Sequence, residues 1–230
     1  DYDLAGGETR APLGVLREPG YRAFGGLRDI ASLPQDVRDF LRRRELLIIG
    51  KTDQHATVHR NAPMDAVGVR RFDARGEVSG LTLFVGLFTS SAYTASPRSI
   101  PIVRRKVERA LARSGLGTTG HDAKAFIHTL ETFPRDELFE ASEDWLLDTA
   151  MGVLNLQERQ RIALFIRRDP LERYVSCLVY APRERYDSQL RRSFVAVLET
   201  AFAGTLSAFD MSFDSSPLGR GHFIIRTTRG

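Results

Sequence analysis

Apolar residues recur at every second position in the first half of the chain, at Val67 and Val69 and again at Leu81, Leu83, Val85 and Leu87. A two-residue period belongs to a pleated strand with one buried face, so two strands are predicted. Between them Asp73-Ala74-Arg75-Gly76 supplies turn residues, with Gly76 free to take a positive φ. The two runs read as one long hairpin over 66–88. Ahead of it, Leu46-Leu47-Ile48-Ile49 reads as a buried strand and Thr57–Arg60 as a short one. Ser32 is placed to cap a helix with Pro34 in its first turn and Val37, Phe40 and Leu41 as its apolar stripe. The opening, to about Phe24, is rich in Gly and Pro and is expected to be partly extended.

The period then lengthens to that of a helix. Pro101 suits the first turn of a helix ending near Arg113, with Val103, Val107, Ala110 and Leu111 on one face and Gly115 as its stop. A second helix over 121–132 carries Phe126, Ile127 and Leu130 and ends at Phe133-Pro134. A domain boundary is expected there, giving domains 1–133 and 134–230. Beyond it, Trp145, Leu146, Thr149, Ala150 and Val153 stripe a helix over 143–154, and strands at 162–167 and 174–180 flank an Asp169-Pro170 turn. A helix capped by Asp187 and striped by Leu190, Phe194, Val197, Leu198, Ala201 and Phe202 stops at Gly204. A strand with Phe209, Met211 and Phe213, a connection over 215–221 and a strand over 222–227 close the chain. This α-β-β-α-β-β order, cut and rejoined, is the β-α-β-β-α-β order of ferredoxin-like folds. The helix at 143 and the strand at 162 are expected to fill the places of that fold's last helix and last strand. The fold class is thus α+β.

Composition narrows the field. With 230 residues, 42% hydrophobic and 27% charged, the chain is globular and long enough for one or two cored domains. Its apolar runs fall short of the roughly eighteen residues of a membrane span. Asp1-Tyr2-Asp3-Leu4 lacks the features of a signal peptide, which suits a piece excised from a longer polypeptide. Cys177 is the single cysteine, consistent with the reducing cytoplasm, and it alternates with Val175 and Val179 as a buried strand residue. The net charge of +4 raises the question of nucleic acid. The cations are dispersed, however, among helix ends and faces shared with Glu108 and Asp187, so no nucleic-acid partner is expected.

Redox and metal chemistry find little here. No glycine-rich strand-to-helix turn of dinucleotide type is present, and Lys51, Lys106 and Lys124 are the only lysines. The histidines, His55, His59, His121, His128 and His222, form no metal-binding spacing. His59 and Arg60, with Asp65 nearby, are the candidates for an anion site at the mouth of the sheet, or, in the favoured reading, residues that hydrogen-bond the loop to its own strand.

The block from Val58 to Tyr93, VHRNAPMDAVGVRRFDARGEVSGLTLFVGLFTSSAY, leads into SSAYTASPRSIPIVRRKVERAL and, further on, LFIRRDPLERYVSCLVYAPRERYDSQLR. Together these resemble the N-terminal region of the large bacterial NAD-specific glutamate dehydrogenases, over roughly Leu46 to Phe202. The resemblance implies a PAS-like sheet domain followed by an ACT-like domain, with glutamate oxidation and NAD binding left to a separate, more C-terminal catalytic domain and no cofactor in this segment. It implies regulation or subunit assembly, with other domains and subunits of the same enzyme as partners, a homo-oligomer, and an amino acid as effector. The competing reading is a small-molecule sensor binding in the PAS-like half. ACT modules take effectors at the turn from first strand to first helix; here that turn, 181–187, contains no glycine and offers Arg183 and Arg185 as candidate carboxylate ligands, or as members of a surface ion network with Glu184 and Asp187.

Overall fold

The computed structural model describes residues 2–3, 7–8, 11–18, 20–21, 23–24, 33–117, 120–158, 161–214 and 216–228. The chain divides into two compact units, Asp1–Thr94 and Ala95–Gly230. The division falls ahead of the boundary expected at 133/134 because the helices 101–113 and 121–132 pack against the helix starting at Glu143.

In the first unit, β1 (Tyr2–Asp3), β2 (Gly7–Glu8), β3 (Leu47–His55), β4 (Pro63–Phe72) and β5 (Val78–Gly86) form an antiparallel sheet in the order β2-β1-β5-β4-β3. Helix α1 (Gln35–Leu41) lies between the second and third strands, and α2 (Ser90–Thr94) follows the fifth. The hairpin forms where the alternation placed it. Gly76 takes φ +76 and donates to the Asp73 carbonyl at 3.0 Å, while Asp73 Oδ1 accepts from the Arg75 and Glu77 amides.

Three local expectations change. Thr57–Arg60 is a bend rather than a strand, with His59 at φ 68 and the Ala56 amide bonded to the Ala62 carbonyl. The segment at Leu46 is not fully buried, since β3 is the sheet edge and Leu46 is 55% exposed. Pro34 stands just before α1 rather than within it, and Ser32 lies outside the described residues. The C-terminal end of α1 is closed by the buried Arg70 of β4, which donates to the carbonyls of Leu41 (3.2 Å), Phe40 (2.7 Å) and Glu45. The last carbonyls of a helix lack intrahelical partners, and Arg70 supplies donors there beside the Arg42 and Arg43 amides.

The second unit opens with four helices: α3 (Pro101–Arg113), α4 (His121–Thr132), α5 (Arg135–Glu140) and α6 (Glu143–Glu158). Helices α3 and α4 pack on α6, and Val103, Val107, Phe126, Leu130, Leu138 and Leu146 are buried. The chain continues through β6 (Ala163–Arg168), β7 (Tyr174–Pro182), α7 (Ser188–Phe202), β8 (Thr205–Phe213) and β9 (Leu218–Arg226), giving an antiparallel sheet in the order β6-β7-β9-β8. Asp187 caps α7 by accepting from the Leu190 amide at 2.7 Å.

Alternation along these strands sorts the sheet's two faces. Val175, Cys177, Val179, Phe223 and Ile225 pack beneath Leu198, Phe194 and Phe202 of α7, with Cys177 fully buried as expected. Phe165, Arg167, Ser176, Leu178 and Tyr180 point the other way, where the Phe165 ring fills the space beside Gly152 of α6. Helix α6 therefore covers the opposite face from α7. It does not take the place beside α7 expected of the fold's second helix. Val197 and Ala201, read above as part of the α7 stripe, are exposed.

Strand β9 also begins at Leu218, within the segment expected to be a connection. Gly219 and Gly221 pair with both β7 and β8, and the missing side chains leave room for aromatic rings: a Cβ on Gly219 would sit 2.6 Å from the Phe213 ring and one on Gly221 2.2 Å from the Tyr186 hydroxyl.

Candidate functional site

The densest chemistry among the described residues is a buried charge cluster between α5 and the sheet. The short segment Arg135-Asp136-Glu137-Leu138-Phe139-Glu140 follows Pro134 and turns one helical face inward, carrying Glu137. Opposite it, strand parity puts Arg167 of β6 and Ser176 of β7 side by side as register partners. Arg167 grips Glu137 with two nitrogens, Nε to Oε2 at 2.6 Å and Nη2 to Oε1 at 2.9 Å, and reaches Glu140 Oε2 at 2.8 Å. The Ser176 hydroxyl donates to Glu137 Oε1 at 2.7 Å and shares a 2.9 Å hydrogen bond with His222 Nε2 from β9. Tyr174 donates to Glu140 at 2.5 Å. From α3, Lys106 Nζ donates to the carbonyls of Phe139, Ala141 and Leu138 at 2.6, 2.8 and 3.2 Å, closing the C-terminal end of α5.

Burial sets the electrostatics. It drives a carboxyl toward neutrality, but Arg167's charge and hydrogen bonds, with His222, outweigh it and hold Glu137 below the ordinary carboxylate range. Glu140 moves the other way, because burial and the neighbouring Glu137 outweigh its share of Arg167. Burial also lowers Arg167's tendency to stay charged, yet the two glutamates more than reverse this and raise its pKa. Lys106 is pulled down to about 8 by burial and by Arg167. A planar guanidinium shared between two buried carboxylates holds a geometry, since each partner left alone would be an uncompensated charge.

The residues singled out in the sequence lie elsewhere. His59 and Arg60 are both exposed on the bend after β3. Arg60 stacks 4.4 Å over the Tyr93 ring, whose hydroxyl donates to Asp65 at 3.2 Å and accepts from Lys51 at 2.9 Å. Asp65 is thus brought close to Arg60 through Tyr93, while its charge is matched by Lys51 at 2.6 Å. Arg183 and Arg185 are exposed on a single 3₁₀ turn. Arg183 donates to the Asp214 carbonyl at 3.3 Å and lies 5.2 Å over Phe213. Asp187 serves as the cap of α7. Among the described residues no group of three or more His, Cys, Asp or Glu is placed to hold a metal ion, and no helix is long and apolar enough to cross a membrane.

Sequence reasoning passed over the cluster itself. Its one visible signal was Arg167, a charged residue at the same strand parity as Phe165, on the face that α5 and α6 cover.

Residues 100–159 match glutamate dehydrogenase helical motif 1, and residues 163–230 match the glutamate dehydrogenase ACT2 domain. The chain is 35% identical over 216 residues to an NAD-specific glutamate dehydrogenase of Halomonas elongata, covering 93% of this chain and 13% of that protein. It is 38% identical over 187 residues to an NAD-specific glutamate dehydrogenase of Pseudomonas aeruginosa, and 38% identical over 143 residues to one of Mycobacterium tuberculosis. In these two pairs it covers 12% and 9% of the relative's length. The helical-motif match spans α3 to α6 and the ACT2 match spans β6 to β9. The charge cluster straddles the two.

Proposed function

We propose that this chain, which belongs to the large NAD-specific glutamate dehydrogenases through its helical motif 1 and ACT2 segments, does regulatory and assembly work while the redox chemistry proceeds elsewhere in a longer polypeptide. In this reading the parent enzyme deaminates L-glutamate oxidatively to 2-oxoglutarate and ammonia in the cytoplasm, and NAD is held by its catalytic domain. The segment's partners are the enzyme's other domains and subunits within a homo-oligomer, with an amino acid as effector.

The observation that carries this reading is the charge cluster. Lys106, Glu137 and Glu140 come from the helical motif, and Arg167, Tyr174, Ser176 and His222 come from the ACT2 segment. The Arg167, Tyr174 and Ser176 bonds to Glu137 and Glu140 tie the two segments into a single stiff body suited to transmitting displacement. The strand order β6-β7-β9-β8 supports a permuted ferredoxin-like sheet in which β6 takes the edge place beside β7. The order β2-β1-β5-β4-β3, with its helical insertion after the second strand, supports the PAS-like reading of the first unit.

The test is Arg167→Met in the full-length enzyme. A shift in oligomer distribution or effector response, with KM for glutamate and NAD unchanged, is the expected result. Loss of turnover with assembly and effector response intact would overturn the proposal. A second reading, ligand sensing by the first unit, has one observation in its favour: the Arg60 guanidinium is stacked on Tyr93 beside the Lys51–Asp65 pair.

A further inference from the structure

The sheet of the first unit is apolar on both faces, and among the described residues only one face has a helix over it. Arg70 of β4 reaches the carbonyls at the end of α1, so it points to the side where Met64, Ala66, Val37 and Leu41 are buried. Alternation sends Val67 and Val69 the other way. Their register partners stand on that same side, Ile49 and Leu47 on β3 and Phe84 and Thr82 on β5. Phe84 is 59% exposed, and Leu47 is exposed as well. An antiparallel sheet that meets only water on one side carries polar residues there, whereas a block of apolar side chains across three strands marks a contact surface. Three strands are about 10 Å across, the width of one helix.

A cation held in place closes one end of this face. Lys51 of β3 and Asp65 of β4 are register partners two positions from Ile49 and Val67, and they neutralise each other at 2.6 Å. That row lies about 7 Å along the strands from Val67. Tyr93 of α2 rests against the pair, its hydroxyl donating to Asp65 at 3.2 Å, and Arg60 stacks 4.4 Å over the Tyr93 ring. Stacking fixes the plane of the guanidinium and leaves its edge of N–H donors turned to an acceptor. Among the described residues no carboxylate takes that place, and Arg60 is exposed. Val58, on the same bend, is 66% exposed and adds apolar surface beside it.

Charge decides what covers the face. A twofold contact between two copies is self-complementary, and here it would bring Arg60 no acid in return, because Asp65 is already bonded by Lys51, Tyr93 and the Phe88 amide. An apolar block with one oriented guanidinium at its end suits a helix with an apolar stripe and a carboxylate placed to meet that guanidinium. Most of a large glutamate dehydrogenase lies outside this segment, which covers 13% of the Halomonas elongata relative.

We infer that the face formed by Ile49, Val67, Val69 and Phe84, with Arg60 at its end, is the docking site for an acidic amphipathic helix from another domain of the same long enzyme. Apolar contact supplies the affinity, and the pairing with Arg60 sets the register of the helix on the sheet. The inference needs the chain's place in a longer enzyme but not the regulatory role, so each stands without the other.

Photo-crosslinking in the full-length enzyme tests it, with Phe84→p-benzoylphenylalanine and the joined peptide identified by mass spectrometry. Position 84 is exposed, so the fold is retained, as circular dichroism checks. The expected product joins position 84 to a helical peptide outside the present segment, with Asp or Glu beside its apolar stripe. Adding Arg60→Glu lowers the yield about tenfold, and changing that partner acid to Lys in the same protein restores it. A joined peptide from within residues 1–230, of the same chain or of a second copy, would overturn the inference. So would no product, a product lacking an acidic residue, or a yield indifferent to Arg60→Glu. None of these outcomes touches the response of oligomer or effector to Arg167→Met, so the regulatory reading fails or stands on its own test.

Discussion

Replacing Arg167 by Met removes the one cation that two buried carboxylates share. Glu137 is 1% exposed and Arg167 7% exposed, so water cannot take over the lost bonds without opening the segment around α5. Ser176 and His222 still reach Glu137, but Glu140 keeps only the Tyr174 hydroxyl. Breaking one side of a buried pair costs about 3–5 kcal/mol, because the partner left behind is an unpaired charge. Met fills much of the vacated volume, so the loss is electrostatic rather than a cavity. For a unit of this size each kcal/mol moves Tm by about 4 °C, which gives a fall of about 12–20 °C. Calorimetry of the chain, with urea denaturation to check that m is unchanged, reads it directly. A double variant, Arg167→Met with Glu137→Gln, should recover part of the loss, because the orphaned charge is gone. A fall of less than about 1 kcal/mol, or a double variant no better than the single one, would refute the reasoning.

Four further outcomes follow from the same geometry. The pKa of Lys106 is lowered from 10.5 to about 8, so above pH 8 the folded state releases a proton that the unfolded chain keeps. Stability then rises with pH from about 8 toward 10 by about 1–3 kcal/mol, and this rise should be absent in Lys106→Met measured over the same range. Burial pushes Tyr180 and Tyr186 up from 10.0 to about 12, so their neutral forms support the fold below pH 10 and that support is lost as pH climbs through 12. Alkaline unfolding should therefore set in above pH 10, coupled to tyrosinate absorbance. Gly221→Ala would push a methyl into the Tyr186 hydroxyl and the Phe223 ring, and a loss of about 1–3 kcal/mol is expected by chemical denaturation. A thermal-shift screen of amino acids and nucleotides should raise Tm for the sensing reading and leave it unchanged for a scaffold; any gain must vanish in His59→Ala/Arg60→Ala to belong to that bend.

What was legible in the sequence is what local physics dictates. The turn at 73–76 needs a residue tolerant of positive φ and an aspartate to accept backbone amides, and both stand in the sequence. The helices 101–113 and 121–132 match their stripes because Pro101, Gly115 and Phe133-Pro134 punctuate them chemically. Where the expectation failed, the deciding contact was distant in sequence. Gly219 and Gly221 read as a loop from their residue type, yet they form a strand because β7, more than thirty residues earlier, pairs with them. The segment 135–140 was passed over because a six-residue stretch with four charges carries no apolar period. It is a helix because Lys106 closes its end and Arg167 receives its glutamates. His59 and Arg60 were grouped with Asp65 by proximity, and Tyr93, placed by α2, turned out to mediate.

The face chosen by α6 was the least legible feature, and it matters most for the architecture. Its stripe of Trp145, Leu146, Thr149, Ala150 and Val153 says only that one side is buried, and the sheet offers two faces to receive it. The decision rests on charge. Arg167 and Ser176 make one face of the sheet polar where the edge strand β6 meets β7, and an acidic helix such as α5 can cover that face only by bringing Glu137 with it. Ala141 and Ser142 alone join α5 to α6, so α6 must follow α5 to the same side and settle on Phe165. The ion cluster thus selects the face that the helical motif occupies, and by the same act leaves the other half of the α7 face uncovered. In the charge-neutral double variant Arg167→Met/Glu137→Gln that preference is weakened, and chemical labelling at Leu164 and Phe165 would report α6 sampling both faces.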